Sequence, residues 1–274
     1  MKPILYGILM IVSFASCQTK ESSEPLKITE KTTVNEPISW INPTGKTITS
    51  RFNLPEGYSY SPVQENSWGS FLGSLPLKPD GSEVKTFNGE IKRNYQTYLA
   101  VVDLPIGKKD LHQCADAIMR LRADYLFSQA RFEEISFRQA SGKNIAYTTW
   151  LAGKIPEKTN LWTYLETVFN TANTTSLNKQ LISKPIESLA VGDVFITGPP
   201  PGQSFGHAII VVDKCIDKTG KVKFMLAQSY MPAQEIQILD NPANPGCPWY
   251  DLDFGQILNT PEWDFTSSQL KSFE

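Results

Sequence analysis

Apolar side chains recur every three or four positions between Leu111 and Tyr125, with polar residues between them. This spacing predicts a helix that buries one stripe of its surface. Asp110, followed three residues later by Gln113, resembles a capping box. The helix is therefore expected to begin at Asp110, which would put Cys114 about one turn inside it.

A second pattern, rich in β-branched and aromatic residues, predicts strands. It occurs in residues 97–104, 191–197, 207–215 and 221–230, and residues 218–220 provide a hairpin-like link between the last two. Helical character returns in residues 161–173 and 174–182. Together these elements predict an α+β fold in which a helix packs on an antiparallel sheet, within a single domain that covers residues 39–274.

The N-terminal residues form a third pattern. An almost entirely apolar run, residues 4–15, follows Lys2 and is too short to span a bilayer as a helix. Such a run is typical of a signal peptide. It ends in the letters FASC, which resemble the lipobox of bacterial lipoproteins, where the signal peptide, here residues 1–16, is removed and the cysteine, here Cys17, is lipidated. An ordinary signal peptide followed by a chance cysteine is the alternative.

Residues 17–38 connect this cysteine to the domain. They are polar, charged and poor in aromatic residues, so they are expected to form a flexible tether. Gln18 directly follows the cysteine, and its resemblance to Gram-negative sorting signals implies a lipid anchor in the outer membrane, on its periplasmic or surface face. The protein is therefore expected in the cell envelope.

Charge and residue counts exclude several classes of partner. The chain has 26 Lys and Arg against 28 Asp and Glu, a formal net charge of −2, and no basic helix face, so a nucleic-acid partner is not expected. It has two histidines and no Cys-x-x-Cys motif, which argues against a zinc site. No glycine-rich cofactor motif occurs, so neither metal nor cofactor is expected.

The remaining three cysteines are Cys114, Cys215 and Cys247. In an exported protein an odd number leaves at least one unpaired within the chain. Cys215 and Cys247 lie in polar, turn-like segments and could form a disulfide, which would leave Cys114 as the free thiol. Three reduced, mutually distant cysteines are the alternative.

Three residues form a candidate catalytic triad: Cys114, His207 and Gln228. A helix N-terminus favours thiolate, a histidine on a strand can take up and return the thiol proton, and a third polar group must orient the imidazole. Gln228 is expected to share a sheet face with Phe224 and Leu226. The alternatives are a cysteine buried as a small apolar residue, a histidine that caps a carbonyl group, and a purely structural glutamine.

Several blocks of the chain resemble known families. The arrangement of GDVFI and GHAIIVVD after a cysteine-bearing helix resembles the core of NlpC/P60-like and other papain-like cysteine hydrolases. The blocks RFNLPEGY, DLHQCADAIMRLRADYL, LAQSYMPAQ and TPEWDF resemble an uncharacterised bacterial lipoprotein family, domain of unknown function 4846.

The papain-like resemblance implies a papain-like core and a cysteine hydrolase that cleaves amide bonds, with peptidoglycan stem peptides or another envelope peptide as substrate. Cys114 would be the nucleophile, and its backbone N–H would stabilise the oxyanion. The alternative is a non-catalytic envelope lipoprotein that keeps the fold and binds glycan or protein.

Overall fold

A large antiparallel sheet organises the part of the chain that the structure, a computed structural model, describes: Gly7 and residues 39–274. Apart from Gly7, the expected signal peptide (1–16), the lipidated Cys17 and the tether (17–38) lie outside the described residues. Residues 39–274 form one unit by their internal contacts.

The strands of residues 39–274 are β1 (Tyr58–Tyr60), β2 (Tyr98–Val101), β3 (Ser136–Arg138), β4 (Asn144–Ala146), β5 (Ile182–Ser183), β6 (Val194–Thr197), β7 (His207–Asp217), β8 (Val222–Gln228), β9 (Gln237–Leu239), β10 (Tyr250–Asp251), β11 (Leu258–Asn259), β12 (Asp264–Phe265) and β13 (Leu270–Ser272). The helices of the same residues are α1 (Ile48–Arg51), α2 (Trp68–Gly73), α3 (Cys114–Ser128), α4 (Tyr147–Leu151), α5 (Lys158–Thr171) and α6 (Thr174–Gln180).

In the main sheet the strand order is β2-β9-β8-β7-β6-β13-β5, and every neighbouring pair is antiparallel. The short strands β1 and β10 extend it by pairing with β7 and β8. Two hairpins, β3–β4 and β11–β12, lie outside the main sheet. The central strands β7 and β8 are apolar on both faces, which is why both faces of the sheet are covered.

Successive side chains of β7 lie on opposite faces of the sheet, and they belong to two different parts of the core. Ala208, Ile210 and Val212 belong to the larger core cluster, which also contains the buried side of α3. Ile209 and Val211 belong to the smaller cluster, which is covered by side chains from the C-terminal segment, residues 250–272. By the same alternation, His207 and Gln228 lie on the face that the C-terminal segment covers.

Helix α3 is buried on nearly all sides, including its polar residues Asp116 and Arg120. The single apolar stripe predicted from its sequence is therefore too narrow. The helix packs on β7 and is flanked by α2, α5 and α6, so even its alanines lie in the core. Arg120 donates to the Pro105 carbonyl at 2.6 Å and to Asp124 at 3.3 Å, whereas one carboxylate oxygen of Asp116, Oδ1, has no partner among the described residues.

The structure confirms the predicted α+β class and the positions of the main strands and helices. It leaves Cys114, Cys215 and Cys247 as free, buried cysteines, so the Cys215–Cys247 disulfide is not present. The charge of Cys247 raises the pKa of Cys215, so these two cysteines are near one another and the expectation of three mutually distant cysteines is wrong for this pair. Among the helices of the described residues, none combines the length and the apolar character of a membrane span.

Candidate active site

Cys114 is the first residue of α3, and the expected helix start at Asp110 is wrong. The helix is capped by Gln113, whose backbone N–H donates to Asp116 at 3.1 Å. Asp110 accepts instead from the backbone N–H of Ala233, at 2.7 Å, and from the Gln113 side chain. Cys114 thus lies in the first turn, where unpaired backbone N–H groups and the helix dipole favour a thiolate.

The Cys114 sulfur faces the start of α6 and the start of β7. It lies 3.9 Å from the hydroxyl oxygen of Thr174, and the backbone N–H groups of Ala115 and Ala208 point toward it. Ala208 directly follows His207, so the sulfur lies against the first residues of β7.

The thiol is only 5 % exposed but lines a pocket of about 170 Å³. Phe205, which is 60 % exposed, lies at its edge, so the pocket reaches the surface. Its lining comprises Asp110, Leu111, Gln113, Cys114, Ala115, Asp116, Phe169, Ala172, Asn173, Thr174, Phe205, Gly206 and Met231.

Burial keeps the thiol protonated in this structure. It raises the pKa of Cys114 to about 11, and the charge of Asp116 adds to the rise. The Thr174 hydroxyl and the two backbone amides lower the pKa by less than burial raises it. The resting thiol is therefore not a thiolate at neutral pH.

His207 begins β7 directly after Gly206 and pairs with Thr197 of β6. A Cβ atom on Gly206 would lie 2.1 Å from the Thr197 carbonyl oxygen, so a side chain there would push the start of β7 away from β6. The glycine thereby permits the close strand approach that sets the position of the histidine.

The imidazole of His207 is held by Gln228, the last residue of β8. Its Nε2 atom lies 2.7 Å from Gln228 Oε1, and both side chains are buried. Burial lowers the pKa of His207 to about 4, the charge of Lys92 contributes to the decrease, and the bond to Gln228 opposes it. The imidazole is therefore neutral near pH 7 and able to accept a proton.

Aromatic rings enclose this pair. The Tyr230 ring meets the imidazole edge-on with centroids 4.9 Å apart, and the rings of Trp263 and Phe265 lie at 5.6 and 6.1 Å. These rings exclude water from the His207–Gln228 hydrogen bond, which makes that bond electrostatically stronger than it would be in solvent.

A hydrogen-bonded contact joins the loop that enters α3 to the end of β8, the strand that carries Gln228. The hydroxyl of Ser229, just after β8, lies 3.0 Å from the His112 carbonyl oxygen and 2.7 Å from that of Gln234. This contact joins the end of the sheet to the loop that enters α3. Of the three predicted residues, His207 and Gln228 are hydrogen-bonded; among residues 39–274 no hydrogen bond links the Cys114 sulfur to the imidazole.

Two charged residues behind Gln228 were not predicted from the sequence. Gln228 Nε2 donates to Glu262 at 2.6 Å, and Lys92 donates to the same carboxylate oxygen at 2.5 Å. Lys92 also donates to Gln237, at 3.3 Å. Glu262 lies within the TPEWDF block noted above, but no spacing rule relates residues that are 170 positions apart.

The imidazole of His112, the other histidine, does not line the pocket. It is fully buried, and its ring packs edge-on against Phe169 at 5.9 Å. Within residues 39–274, no group of three or more His, Cys, Asp or Glu side chains is arranged to hold a metal ion.

Comparisons with known proteins place the chain in a family without an assigned activity. Neither the curated proteins nor the solved structures gave a significant match. The family model described as domain of unknown function 4846 matches residues 48–272, which is most of the chain and includes every residue of the candidate site. The chain therefore belongs to the family called domain of unknown function 4846.

Proposed function

We propose that this protein is a cysteine hydrolase that cleaves amide bonds, with Cys114 as nucleophile, His207 as general base and acid, and Gln228 as the residue that orients the imidazole. The observation that carries the proposal is the 2.7 Å bond between His207 and Gln228, and it is supported by the position of the Cys114 sulfur beside the backbone of Ala208, the residue after His207. A papain-like core, with the cysteine on a helix and the other two residues on adjacent strands, is part of the proposal.

The reaction starts from a protonated Cys114 thiol and a neutral His207 imidazole. His207 accepts the thiol proton through the nitrogen that Gln228 leaves free, Nδ1, while sulfur attacks the carbonyl carbon. The backbone N–H of Cys114 has no partner within the helix and can donate to the oxyanion. Collapse breaks the C–N bond, the amine leaves with the proton from His207, and a thioester remains. Water, deprotonated by His207, then hydrolyses the thioester and regenerates the thiol.

Location gives the substrate class. A lipidated Cys17 would anchor the protein in the outer membrane, on the periplasmic or surface face, and a tether over residues 17–38 would let the domain reach envelope peptides. Peptidoglycan stem peptides are amide substrates within reach of the periplasmic face, and other envelope peptides are the candidates on either face. The proposed pocket is small and carries acidic and amide side chains, including Asp110 and Asn173, that can hydrogen-bond a peptide.

The test is cleavage of a panel of peptidoglycan stem peptides by the full chain, followed by mass spectrometry. Cys114→Ala should abolish cleavage and the thioester adduct, and His207→Ala should slow cleavage by on the order of 10²- to 10⁴-fold. Because His207 acts as a neutral base with its pKa lowered to about 4, activity should be retained above that pH and lost below it. Cys215→Ala, at a buried cysteine outside the pocket, is the matched control and should leave cleavage unchanged.

A substrate-independent arm measures alkylation by iodoacetamide. Cys114 should react faster than Cys215 and Cys247, and the reaction should slow in His207→Ala. Suppose that Cys114 is alkylated slowly, at the same rate in the wild type and in His207→Ala, and that no peptide is cleaved. This result would refute the hydrolase and favour a non-catalytic module that binds glycan or protein.

A further inference from the structure

A buried ion pair lies directly behind Gln228. The side chains of Lys92 and Glu262 are 7 % and 13 % exposed, and their charged atoms are 2.5 Å apart. Removing two charges from water costs free energy that their attraction offsets only in part, so such a pair is poor evidence for stability alone. Its position, in contact with the residue that holds the imidazole, points to a role in the site.

The Lys92–Glu262 pair fixes the orientation of the Gln228 side-chain amide. A carboxylate can only accept hydrogen bonds, so Glu262 must bind the NH₂ group of Gln228, as the 2.6 Å contact shows. The amide oxygen then faces His207 Nε2 at 2.7 Å. Because an amide oxygen can only accept, Nε2 must carry the proton of the neutral imidazole, and Nδ1 is left with its lone pair.

Without Glu262 the same groups favour the opposite arrangement. The ammonium group of Lys92 can only donate, and the Gln228 oxygen would become an available acceptor. The amide would then reverse and present its NH₂ group to His207 Nε2. Nε2 would have to accept, the proton would move to Nδ1, and the nitrogen that faces away from Gln228 could no longer act as a base.

We propose that Glu262, held by Lys92, is a positioning residue that fixes the Nε2–H tautomer of His207 and thereby keeps Nδ1 available as the base. The tautomer follows from the hydrogen bonds alone. Its consequence for Cys114 rests on the proposed function, so the two are measured separately.

The tautomer can be read by nitrogen NMR on the full chain labelled with ¹⁵N at histidine. The chain has two histidines, so the spectrum contains two imidazoles, and His112→Leu identifies the signal of His207. In the wild type, His207 should show a protonated Nε2 and an unprotonated Nδ1. Glu262→Leu should reverse them and slow iodoacetamide alkylation of Cys114 by on the order of 10²-fold.

Two variants serve as controls. Glu262→Gln keeps an oxygen that can accept from Gln228, so it should retain the wild-type tautomer. Glu235→Leu removes a carboxylate of equal burial, 12 % exposed and 2.5 Å from Lys78, that does not touch Gln228. It should leave the His207 signals unchanged. A reversal in Glu235→Leu as large as in Glu262→Leu would overturn the proposal.

If Glu262→Leu does not fold because Lys92 is left unpaired, Lys92→Met combined with Glu262→Leu removes both charges. The amide is then unconstrained, and a mixture of tautomers should appear. A wild-type imidazole protonated at Nδ1, or a pure Nε2–H form in Glu262→Leu or in the double variant, would refute the proposal. A tautomer that reverses while wild-type Cys114 alkylates slowly would support the positioning role and refute the hydrolase.

Discussion

At the scale of single residues, the two histidines differ in their partners rather than in their burial. Both are removed from water, and burial lowers the pKa of each, to about 4 for His207 and to about 3 for His112. His207 has a short bond to Gln228. Neither ring nitrogen of His112 makes a hydrogen bond within residues 39–274, and backbone groups at Gln234 and at His112 itself offset only part of the effect of burial.

His112 should therefore make the protein sensitive to acid. In the folded state it stays neutral down to about pH 3, whereas in the unfolded state it takes up a proton below its ordinary pKa of 6.5. The unfolded state then binds more protons, so the free energy of unfolding is highest above pH 6.5 and decreases as the pH falls, by up to about 1.4 kcal/mol per pH unit.

Urea unfolding of the wild type and of His112→Leu at pH 7.5 and 5.5 checks this. The variant should lose about 1.4 kcal/mol less than the wild type between the two pH values. His207→Leu should reduce the pH dependence in the same direction, because its pKa is also lowered. If the wild type and His112→Leu lost the same free energy of unfolding between pH 7.5 and pH 5.5, the lowered pKa of His112 would be wrong.

Part of the candidate site was predictable, because Cys114, His207 and Gln228 each carry a local signal, and the structure confirms the hydrogen bond between the last two. Cys114 lies on an apolar helical stripe, His207 begins a β-rich run, and Gln228 interrupts an apolar one. Lys92 and Glu262 carry no such signal, since both lie in connecting segments. Their role depends on a contact that forms only when distant parts of the chain fold together.

At the scale of elements, the beginning of α3 shows how tertiary contacts override local capping. The sequence favours Asp110 as the cap, but its carboxylate binds the backbone of Ala233, 123 residues later. Gln113 and Asp116 then form the capping box one turn further on. Strand β8 is likewise shorter than predicted and ends at Gln228; the hydroxyl of the next residue, Ser229, bonds the carbonyl groups of His112 and Gln234.

The cap of α3 can be tested at Asp116. Asp116→Asn keeps an oxygen for the Gln113 N–H and should change stability little at pH 5, whereas Asp116→Leu loses the cap and should cost about 1 kcal/mol. Burial raises the pKa of Asp116 to about 8. The folded state therefore binds more protons, and the wild type loses stability as the pH rises from about 4 through 8.

Asp116→Asn removes this titration, so it should gain stability relative to the wild type when the pH is raised from 5 to 9. Denaturant unfolding at the two pH values measures the difference. Since the charge of Asp116 also raises the pKa of Cys114, the alkylation rate of Cys114 at pH 9 should increase in this variant. An unchanged stability difference between pH 5 and pH 9 would show that Asp116 is already ionised in the folded protein.

At the scale of the whole molecule, the chain covers its sheet from two sides. Helix α3 covers one face, and the C-terminal segment, residues 250–272, covers the other and brings Glu262 and Trp263 to the site. Alternating apolar residues predicted the sheet and its buried strands. The strand order was not predictable, because it depends on pairings such as that of β13 with β5 and β6, far apart in sequence.

The proposed anchor at Cys17 also belongs to this scale. Residues 4–15 are too short to span a bilayer as a helix, so stable attachment would require lipid. One acyl chain gives only marginal binding, whereas the several chains of a bacterial lipoprotein give stable anchoring. The full chain, expressed with its own leader in a Gram-negative host, should therefore fractionate with the outer membrane and yield an N-terminal peptide that begins at a lipid-modified Cys17.

Cys17→Ser should lose the lipid and the membrane association together. Cys114→Ser is the matched control, because it changes a cysteine of the domain and should leave both unchanged. Washing at high salt distinguishes a lipid anchor from electrostatic attachment, since screening weakens only the latter. Membrane association that persists in Cys17→Ser, or wild-type protein that salt releases, would refute the anchor and remove the argument from location for an envelope substrate.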